Sequence, residues 1–358
     1  MTAPSCATGR FSAVFTEPDM CAIAASPRCV LGLGHDNVLA VATGVIFNTQ
    51  HRGHSLAAVV AMYYSRFGAP FLRDIDGTFA LLIFDHRQVF IACDPTGVTP
   101  VYWARGHRTL WVSTDAAVLR GAGRTVEMFP PGHFTRGDPL DLPPPASFEE
   151  HLTIRGGLLP CCAAARYRHA HQALCRVLHK HLHGVEEEGG KVGFLLNGSL
   201  GSATVAAFGK IVLGVHLGIA ALRTYTVALP TAGNEHSTRA AAFASQLRSR
   251  HEDIAISDDA VIAAHASGGA DALSRLPLCV LGAVFLDEGI TTVVTGIGAP
   301  PCDRAVAGAT AADAAALLSP YGISCRHPFL DAGCTEMLDA INFDRALCRR
   351  LVDDITSS

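Results

Sequence analysis

Charge is scarce in this 358-residue chain. Only 17% of residues are Asp, Glu, Lys or Arg, and they sum to a net −4. That leaves no electrostatic case for holding nucleic acid or an anionic membrane surface. Although 49% of residues are hydrophobic, no apolar run reaches the roughly 20 residues of a membrane-spanning helix. The first fifteen residues, MTAPSCATGRFSAVF, lack the basic stretch and long apolar core of a secretory signal. An intracellular, cytoplasmic location is expected, with the single Arg leaving a mitochondrial presequence open. The twelve cysteines include no CxxC and no Cys/His grouping with zinc-ligand spacing. Scattered thiols in apolar surroundings behave as small hydrophobes, so a reducing compartment is expected rather than a disulfide framework. No internal repeat is present.

The length suits about two domains. Residues 1–138 read as β-rich, with strand-like runs at 38–47, 78–85, 88–94 and 109–115. One helix interrupts them at 55–68, with Ser55 as cap and Gly68 as terminator. The pair 78–85 and 88–94 predicts a tight hairpin, while PTGVTPVY and FPPGH read as turns. Residues 139–162 read as a Pro-rich linker, RGDPLDLPPP marking its start. Residues 163–358 alternate helix and strand: a helix at 163–183, a strand at 192–196 and a helix from 202. Then come a strand at 222–230, a helix at 237–250 capped by Ser237, and the strand HEDIAIS. A helix capped by Asp258 follows, DDAVIAAHA, and a strand at 290–299 ending in a glycine turn. Such alternation predicts a doubly wound parallel sheet, whose ligands sit at the carboxyl ends of strands.

One stretch, FLLNGSLGSATVAAFG from Phe194, runs strand, glycine turn, helix, the layout of a phosphate-cradling loop. Its turn contains no Lys, Asp or Glu. Several segments occur in the order seen in one family: GVIFN (44–48), FALLIFD (79–85) with DPTGVTPVY (94–102), STDAAVL (113–119), FPPGH (129–133), FLLNGSLGSA (194–203), VVTGIGAPP (293–301) and RHPFLD (326–331). Together they resemble the glutamine-dependent asparagine synthetases and their β-lactam synthetase relatives. The resemblance implies a four-layer α/β/β/α N-terminal-nucleophile hydrolase-type glutaminase domain, joined to a doubly wound ATP-pyrophosphatase domain. It implies ATP-dependent amidation of aspartate through an adenylated intermediate, with ammonia taken from glutamine. The nucleotide-binding positions it carries over are Asn197, Gly198, Ser199, Leu200, Gly201 and Ser202 in the first turn, and Thr295, Gly296 and Gly298 in the second. The glutaminase positions it carries over are Thr43 and Gly44.

The same alignment exposes losses. A glutaminase of this kind needs Cys as its first mature residue, the free α-amino group acting as base. Here Met1 precedes Thr2, the aligned position falls near Gly9, and Cys6 is the one nearby thiol. The oxyanion-hole Asn is Thr43, the Glu after Gly44 is Val45, and HSLAAVV lacks the acid that anchors glutamine's amino group. One oxyanion donor is worth about 10²–10³ in rate. In the synthetase half, Gly201 stands where the family has its magnesium-binding Asp, and Pro300–Pro301 replace the acidic pair of the second turn, with Asp303 the nearest acid. Only about 25 residues separate the second turn from RHPFLD, a shortened acceptor region, and Arg345 or Arg349 stands near the family's intermediate-stabilising Lys. No catalytic residue and no metal ligand is assigned. The expected cofactor is at most ATP or AMP, with magnesium disfavoured. The expectation is a catalytically degenerate asparagine synthetase-like protein, a binding or structural subunit of a larger assembly or a homodimer. The alternatives are an ammonia-dependent ATP amide ligase and a non-hydrolysing adenine-nucleotide sensor.

Six further features read as structural. His179 and His183, four apart in HKHLHG, form one face of a helix end with His181 turned away. EEEGGK is a solvated acidic turn, and Cys161–Cys162 sit in apolar surroundings. Asp94 and Asp115 follow strands, and Tyr63 and Tyr64 pack. Lys191 and Lys210 flank the glycine turn, Lys210 too far along its helix to reach a phosphate held there.

Overall fold

The computed structural model describes residues 10–16, 20–25, 31–33, 38–47, 55–148, 163–183, 185, 191–216, 222–228, 235–340 and 343–357. Gly9, Cys6, Cys161, Cys162 and residues 186–190 lie outside them. The chain divides into two compact units, residues 1–153 and 154–358.

The first unit holds two antiparallel sheets. One has the order β2-β1-β8-β7-β9, formed by β1 (Phe11–Thr16), β2 (Met20–Ala25), β7 (Tyr102–Gly106), β8 (Thr109–Ser113) and β9 (Glu127–Met128). The other has the order β11-β10-β6-β5-β4-β3, formed by β3 (Leu31–Leu33), β4 (Leu39–Ile46), β5 (Gly77–Asp85), β6 (Gln88–Cys93), β10 (His133–Gly137) and β11 (Ala146–Ser147). Strand periodicity explains the layering. On β5, Ala80 and Leu82 face the other sheet and meet Phe11, Phe15, Trp103 and Val112. Phe79, Leu81 and Ile83 face the opposite way and meet Ala57, Val60, Ala61 and Tyr64 of α1 (Leu56–Phe67). β4 and β6 alternate in the same way, Val41 and Ile91 toward the sheet, Ala42 and Phe90 toward the helix. Strands buried on both faces read as continuous apolar runs rather than alternating ones. A short α2 (Ala116–Gly121) touches β7 and β8. The unit is thus a sandwich of two sheets covered by helix.

Local chemistry sets the ends of these elements. Ser55 caps α1, its Oγ accepting from Ala58 N at 3.2 Å, and Gly68 ends it. The β5–β6 hairpin turns at His86, with φ 57°. Asp94 is fully buried and accepts from the backbone N–H groups of Phe79, Thr96 and Thr99 at 3.3, 3.0 and 3.0 Å, which fixes the DPTGVTP turn. Asp115 caps α2, accepting from Ala117 N at 2.9 Å, and pairs with Arg10. Replacing Ser55 by Ala is expected to cost about 1 kcal/mol. Urea unfolding followed by tryptophan fluorescence measures it, since both tryptophans, Trp103 and Trp111, lie in this unit.

PTGVTPVY and FPPGH, read as turn-rich connections, each lead directly into a strand, β7 and β10. Their prolines and glycines mark the corners, and the polar strands that follow pair at or near sheet edges. Within the stretch expected as linker, Leu142 and Phe148 are buried in the cores of this unit.

The second unit is a five-stranded sheet of order β14-β13-β12-β15-β16, every neighbouring pair parallel. Its strands are β12 (Lys191–Leu195), β13 (Arg223–Ala228), β14 (Arg250–Ala255), β15 (Ile290–Val294) and β16 (Ser324–Arg326). The order reverses between β12 and β15, the switch point of a doubly wound sheet. Helices α3 (Ala163–Leu182), α4 (Leu200–Ile211) and α5 (Glu235–Leu247) pack one face with α8 (Ala332–Ala340) and α9 (Arg345–Ser357). Leu281 and Phe285 of α6 (Asp258–Glu288) and Leu318 of α7 (Arg304–Leu318) pack the other.

Three helix details differ from the sequence reading. Ser237 lies inside α5, which begins at Glu235, so it is not the cap. Asp258 is the first residue of α6, and Ser257 caps it, its Oγ accepting from Ala260 N at 3.3 Å. α6 runs 31 residues to Glu288, far past the nine-residue segment expected, because it continues through Gly268, Gly269 and Pro277.

Candidate functional site

The first glycine turn sits where β12 ends. Leu196 N–H donates to Tyr225 O at 2.8 Å, tying the turn to β13. Asn197 Oδ1 accepts from Ser199 N at 3.1 Å. Ser199 caps α4, its Oγ accepting from Ser202 N at 3.2 Å. Ser202 is turned inward: its Oγ donates to Ser199 O at 2.9 Å and accepts from Asn197 N at 3.3 Å. Gly198 has φ 74°, and a Cβ there would lie 2.6 Å from His236 O, so the turn rests directly on the first turn of α5.

A cavity of about 1030 Å³ opens beside this turn. Asn197, Gly198, Ser199 and Leu200 form one wall, and Tyr225, Thr226 and Val227 at the end of β13 form another. His236, Arg239 and Phe243 come from α5, Pro277 and Leu281 from α6, and Arg345, Ala346 and Arg349 from α9. Three guanidiniums thus line the cavity, and among the described residues no Asp or Glu does. α9 is held in place by its buried face: Cys348 and Leu351 lie in the core, and Cys348 Sγ lies 2.8 Å from Thr204 Oγ1 on α4. Arg345 and Arg349, four residues apart, share the exposed face. Arg239 is also placed by Glu235, 3.5 Å away, and by His236 Nδ1 at 3.1 Å. Neither Arg345 nor Arg349 forms an ion pair among the described residues.

The structure separates the sequence-predicted positions into two groups. Asn197, Gly198, Ser199 and Leu200 face the cavity. Gly201, Ser202, Thr295, Gly296 and Gly298 lie behind the turn, where the two glycine turns meet backbone to backbone. A Cβ on Gly201 would stand 2.4 Å from Ala299 Cβ, and one on Gly296 would stand 2.5 Å from Ser202 N. Thr43 and Gly44 lie in β4, paired with Ala80 and Phe79 of β5. Lys191 is at the opposite end of β12, where Nζ donates to Glu288 O at 2.9 Å, and Lys210 does not line the cavity.

Magnesium, the metal implied by the resemblance, does not fit these residues. The position aligned with its Asp is Gly201, already in close contact with Ala299. Asp303, the acid nearest the second turn, accepts from Val306 N at 3.2 Å and so caps α7. Among the described residues no group of three or more His, Cys, Asp or Glu could hold a metal ion.

Behind the second turn lies a polar cluster that sequence reasoning missed. His181, turned away from the His179–His183 face as expected, points into the interior, 4% exposed, with Nε2 3.4 Å from Asp331 Oδ2. Lys180 pairs with the same carboxylate. Asp331 Oδ1 also accepts from Cys334 N at 3.1 Å, capping α8. His327 Nδ1 is 2.7 Å from Thr295 Oγ1, and Thr295 N donates to Arg326 O at 3.0 Å. Burial pushes the His327 pKa down to about 3, with positive neighbours at His181 and Arg326 adding to the effect. Burial likewise lowers His181, against the pull of Asp331. Asp331 is lowered to about 2: burial opposes this, but the contacts from His181 and Lys180 outweigh it. His179 and His183 remain near the helix end with ring centroids 5.5 Å apart.

Comparison with known proteins bears mainly on the first unit. Residues 36–120 match the family model described as a glutamine amidotransferase domain. The glutamine-hydrolysing asparagine synthetase 1 of Arabidopsis thaliana is 33% identical over 90 residues, 24% of this chain and 15% of that protein. The asparagine synthetase of Triphysaria versicolor is 34% identical over 89 residues, again 24% of this chain and 15% of that protein. The match therefore spans about a seventh of each relative's length. Among solved structures, the Bacillus subtilis glutamine phosphoribosylpyrophosphate amidotransferase is 12% identical, covering 83% of this chain and 77% of its own, with a TM-score of 0.34. A likeness that loose carries no argument. The similarity to asparagine synthetases extends over about a quarter of this chain. No helix among the described residues is long and apolar enough to cross a membrane.

Proposed function

From this similarity in the amino-terminal unit, we propose that this chain is an asparagine synthetase-like protein that has lost amide-forming catalysis and serves as a binding or structural subunit. The observation that carries this reading is that a Cβ added at position 201 would stand 2.4 Å from Ala299 Cβ. An acidic side chain at position 201 would have to occupy space already filled by the second turn. Metal-assisted charge neutralisation contributes several kcal/mol to such a reaction, and each 1.4 kcal/mol is about tenfold in rate. The substitutions at Thr43 and Val45 act in the same direction on glutamine hydrolysis.

The test is pyrophosphate release from ATP with aspartate, ammonia and magnesium, using Ser202→Ala as the control. The expected result is no turnover above that control. Turnover that exceeds it and vanishes without magnesium overturns the reading in favour of an ammonia-dependent ligase. The subunit role predicts a stoichiometric partner, or a second copy, in the native assembly. Sedimentation of the protein purified under mild conditions measures this, and a lone monomer at every concentration counts against it.

A further inference from the structure

We propose that the second unit pairs with a second copy of this chain through β14, joining two five-stranded sheets into one across a two-fold axis. β14 is the last strand of its sheet, and among the described residues it pairs only with β13. Arg250 N donates to Leu222 O at 2.8 Å and Ile256 N to Ala228 O at 3.1 Å, so even-numbered residues turn their backbone groups toward β13. Alternation along the strand directs the N–H and C=O groups of His251 and Asp253 outward. Arg250, Glu252, Asp253 and Ala255 are exposed. An edge of this kind is a template for strand addition.

The order of charges selects the occupant. A two-fold axis perpendicular to the sheet makes the added strand antiparallel and keeps like faces together. Centred on His251, this pairing joins the two His251 backbones by reciprocal hydrogen bonds. It sets Arg250 of each copy opposite Glu252 of the other, at the close-approach positions of an antiparallel pair. A shift of two residues either way would set Glu252 against Glu252 or Arg250 against Arg250. Charges on an edge discourage open-ended pairing; here they favour one closed, self-complementary register. Two further observations agree. Glu252 lies beside Glu288, whose carboxylate raises its pKa against the pull of Arg250, so an incoming guanidinium adds a favourable partner. Burial lowers the pKa of His251, with Asp253 opposing, so the two rings meet uncharged at neutral pH. β14 has only 6 residues, and a strand that short covers less than the roughly 800 Å² per partner of a standard interface. The dimer is therefore a weak, concentration-dependent one.

Sedimentation velocity of the full chain between roughly 1 and 200 µM tests the proposal, the expected result being a reversible monomer–dimer equilibrium with a Kd of about 1–100 µM. Arg250→Glu and Glu252→Arg are each expected to weaken it about tenfold or more. Protein carrying both reversals should return to within about threefold of the parent, because each pair is rebuilt with its signs exchanged. Melting temperatures within a few degrees of the parent show that the variants fold. Hydrogen exchange on the unaltered chain needs no variant: the outward N–H of His251 should exchange about fivefold more slowly at the highest concentration than at the lowest. A monomer at every concentration, a dimer indifferent to the single reversals, or one that the double reversal does not restore each overturns the proposal. The pairing names the second copy that the subunit reading allows. A dimer indifferent to the reversals keeps that reading while overturning this one, and the loss of catalysis is tested separately by turnover.

Discussion

Gly201→Asp, the substitution that restores the family's acidic residue, is expected to destabilise the second unit by about 2–4 kcal/mol and to leave the protein without magnesium-dependent chemistry. Two small gains are available: Asp at the start of a helix interacts with the dipole, worth about 0.3–1 kcal/mol, and losing Gly from a helix recovers up to about 1 kcal/mol. Against them stands the Cβ itself, which would lie 2.4 Å from Ala299 Cβ and 3.2 Å from Gly296 O. Neither neighbour is the end of a flexible side chain. Overpacking of this kind costs about 1–3 kcal/mol, and a buried carboxylate without partners costs more. Gly201→Ala isolates the steric part. Combining it with Ala299→Gly should return part of the loss, a coupling measurable in a double-mutant cycle. The readouts are chemical denaturation by far-UV circular dichroism and magnesium titration calorimetry. A Gly201→Asp protein as stable as its parent, with magnesium-dependent pyrophosphate release, would falsify the view that the second turn has closed this position.

Because the loss is one of space and not only of charge, it was only half visible in the amino-acid order. The absence of Asp at 201 and of an acidic pair at 300–301 could be read directly. That Ala299 comes to rest against Gly201 could not, since 98 residues separate them and only the sheet brings the turns together. The same limit applied to the cavity. Strand, glycine turn and helix were legible around Asn197, and resemblance directed attention to Arg345 and Arg349. His236 and Arg239 carried no local signal; they enter the cavity because α5 follows the neighbouring parallel strand. In the first unit, β5 and β6 were legible as apolar runs because both of their faces are buried. β10 was hidden, since His133 and Arg136 give it no apolar pattern. The helical histidines show the clearest misdirection. A four-residue spacing drew attention to His179 and His183, while His181, between them, is the one buried beside Asp331.

That buried cluster makes the second unit sensitive to acid in a defined window. His327 has a pKa of about 3 in the folded chain against 6.5 for a free imidazole. Its folded value is depressed, so the unfolded chain binds the proton first. Stability is intact above pH 6.5 and falls as pH drops toward 3, by about 1.4 kcal/mol per pH unit for one such group. Over that window the loss is of order 5 kcal/mol, comparable with the whole stability of many domains. His181 is shifted in the same direction and adds to the slope. Asp331, lowered to about 2 from 3.8, keeps its contribution until pH falls below 3.8 and loses it toward 2. The titratable groups acting on His327 are His181 and Arg326, and both oppose its protonation. His327→Asn retains a partner for Thr295 Oγ1 and cannot titrate. Tryptophan fluorescence follows only the first unit, so the measurement is hydrogen exchange at residues 290–296 between pH 7 and 4. The exchange data are corrected for intrinsic rates. The parent should lose protection steeply as pH falls, and His327→Asn should flatten the slope by about one proton. Equal slopes in the two proteins would place the acid sensitivity elsewhere and leave His327 a purely structural link between the second turn and its neighbours.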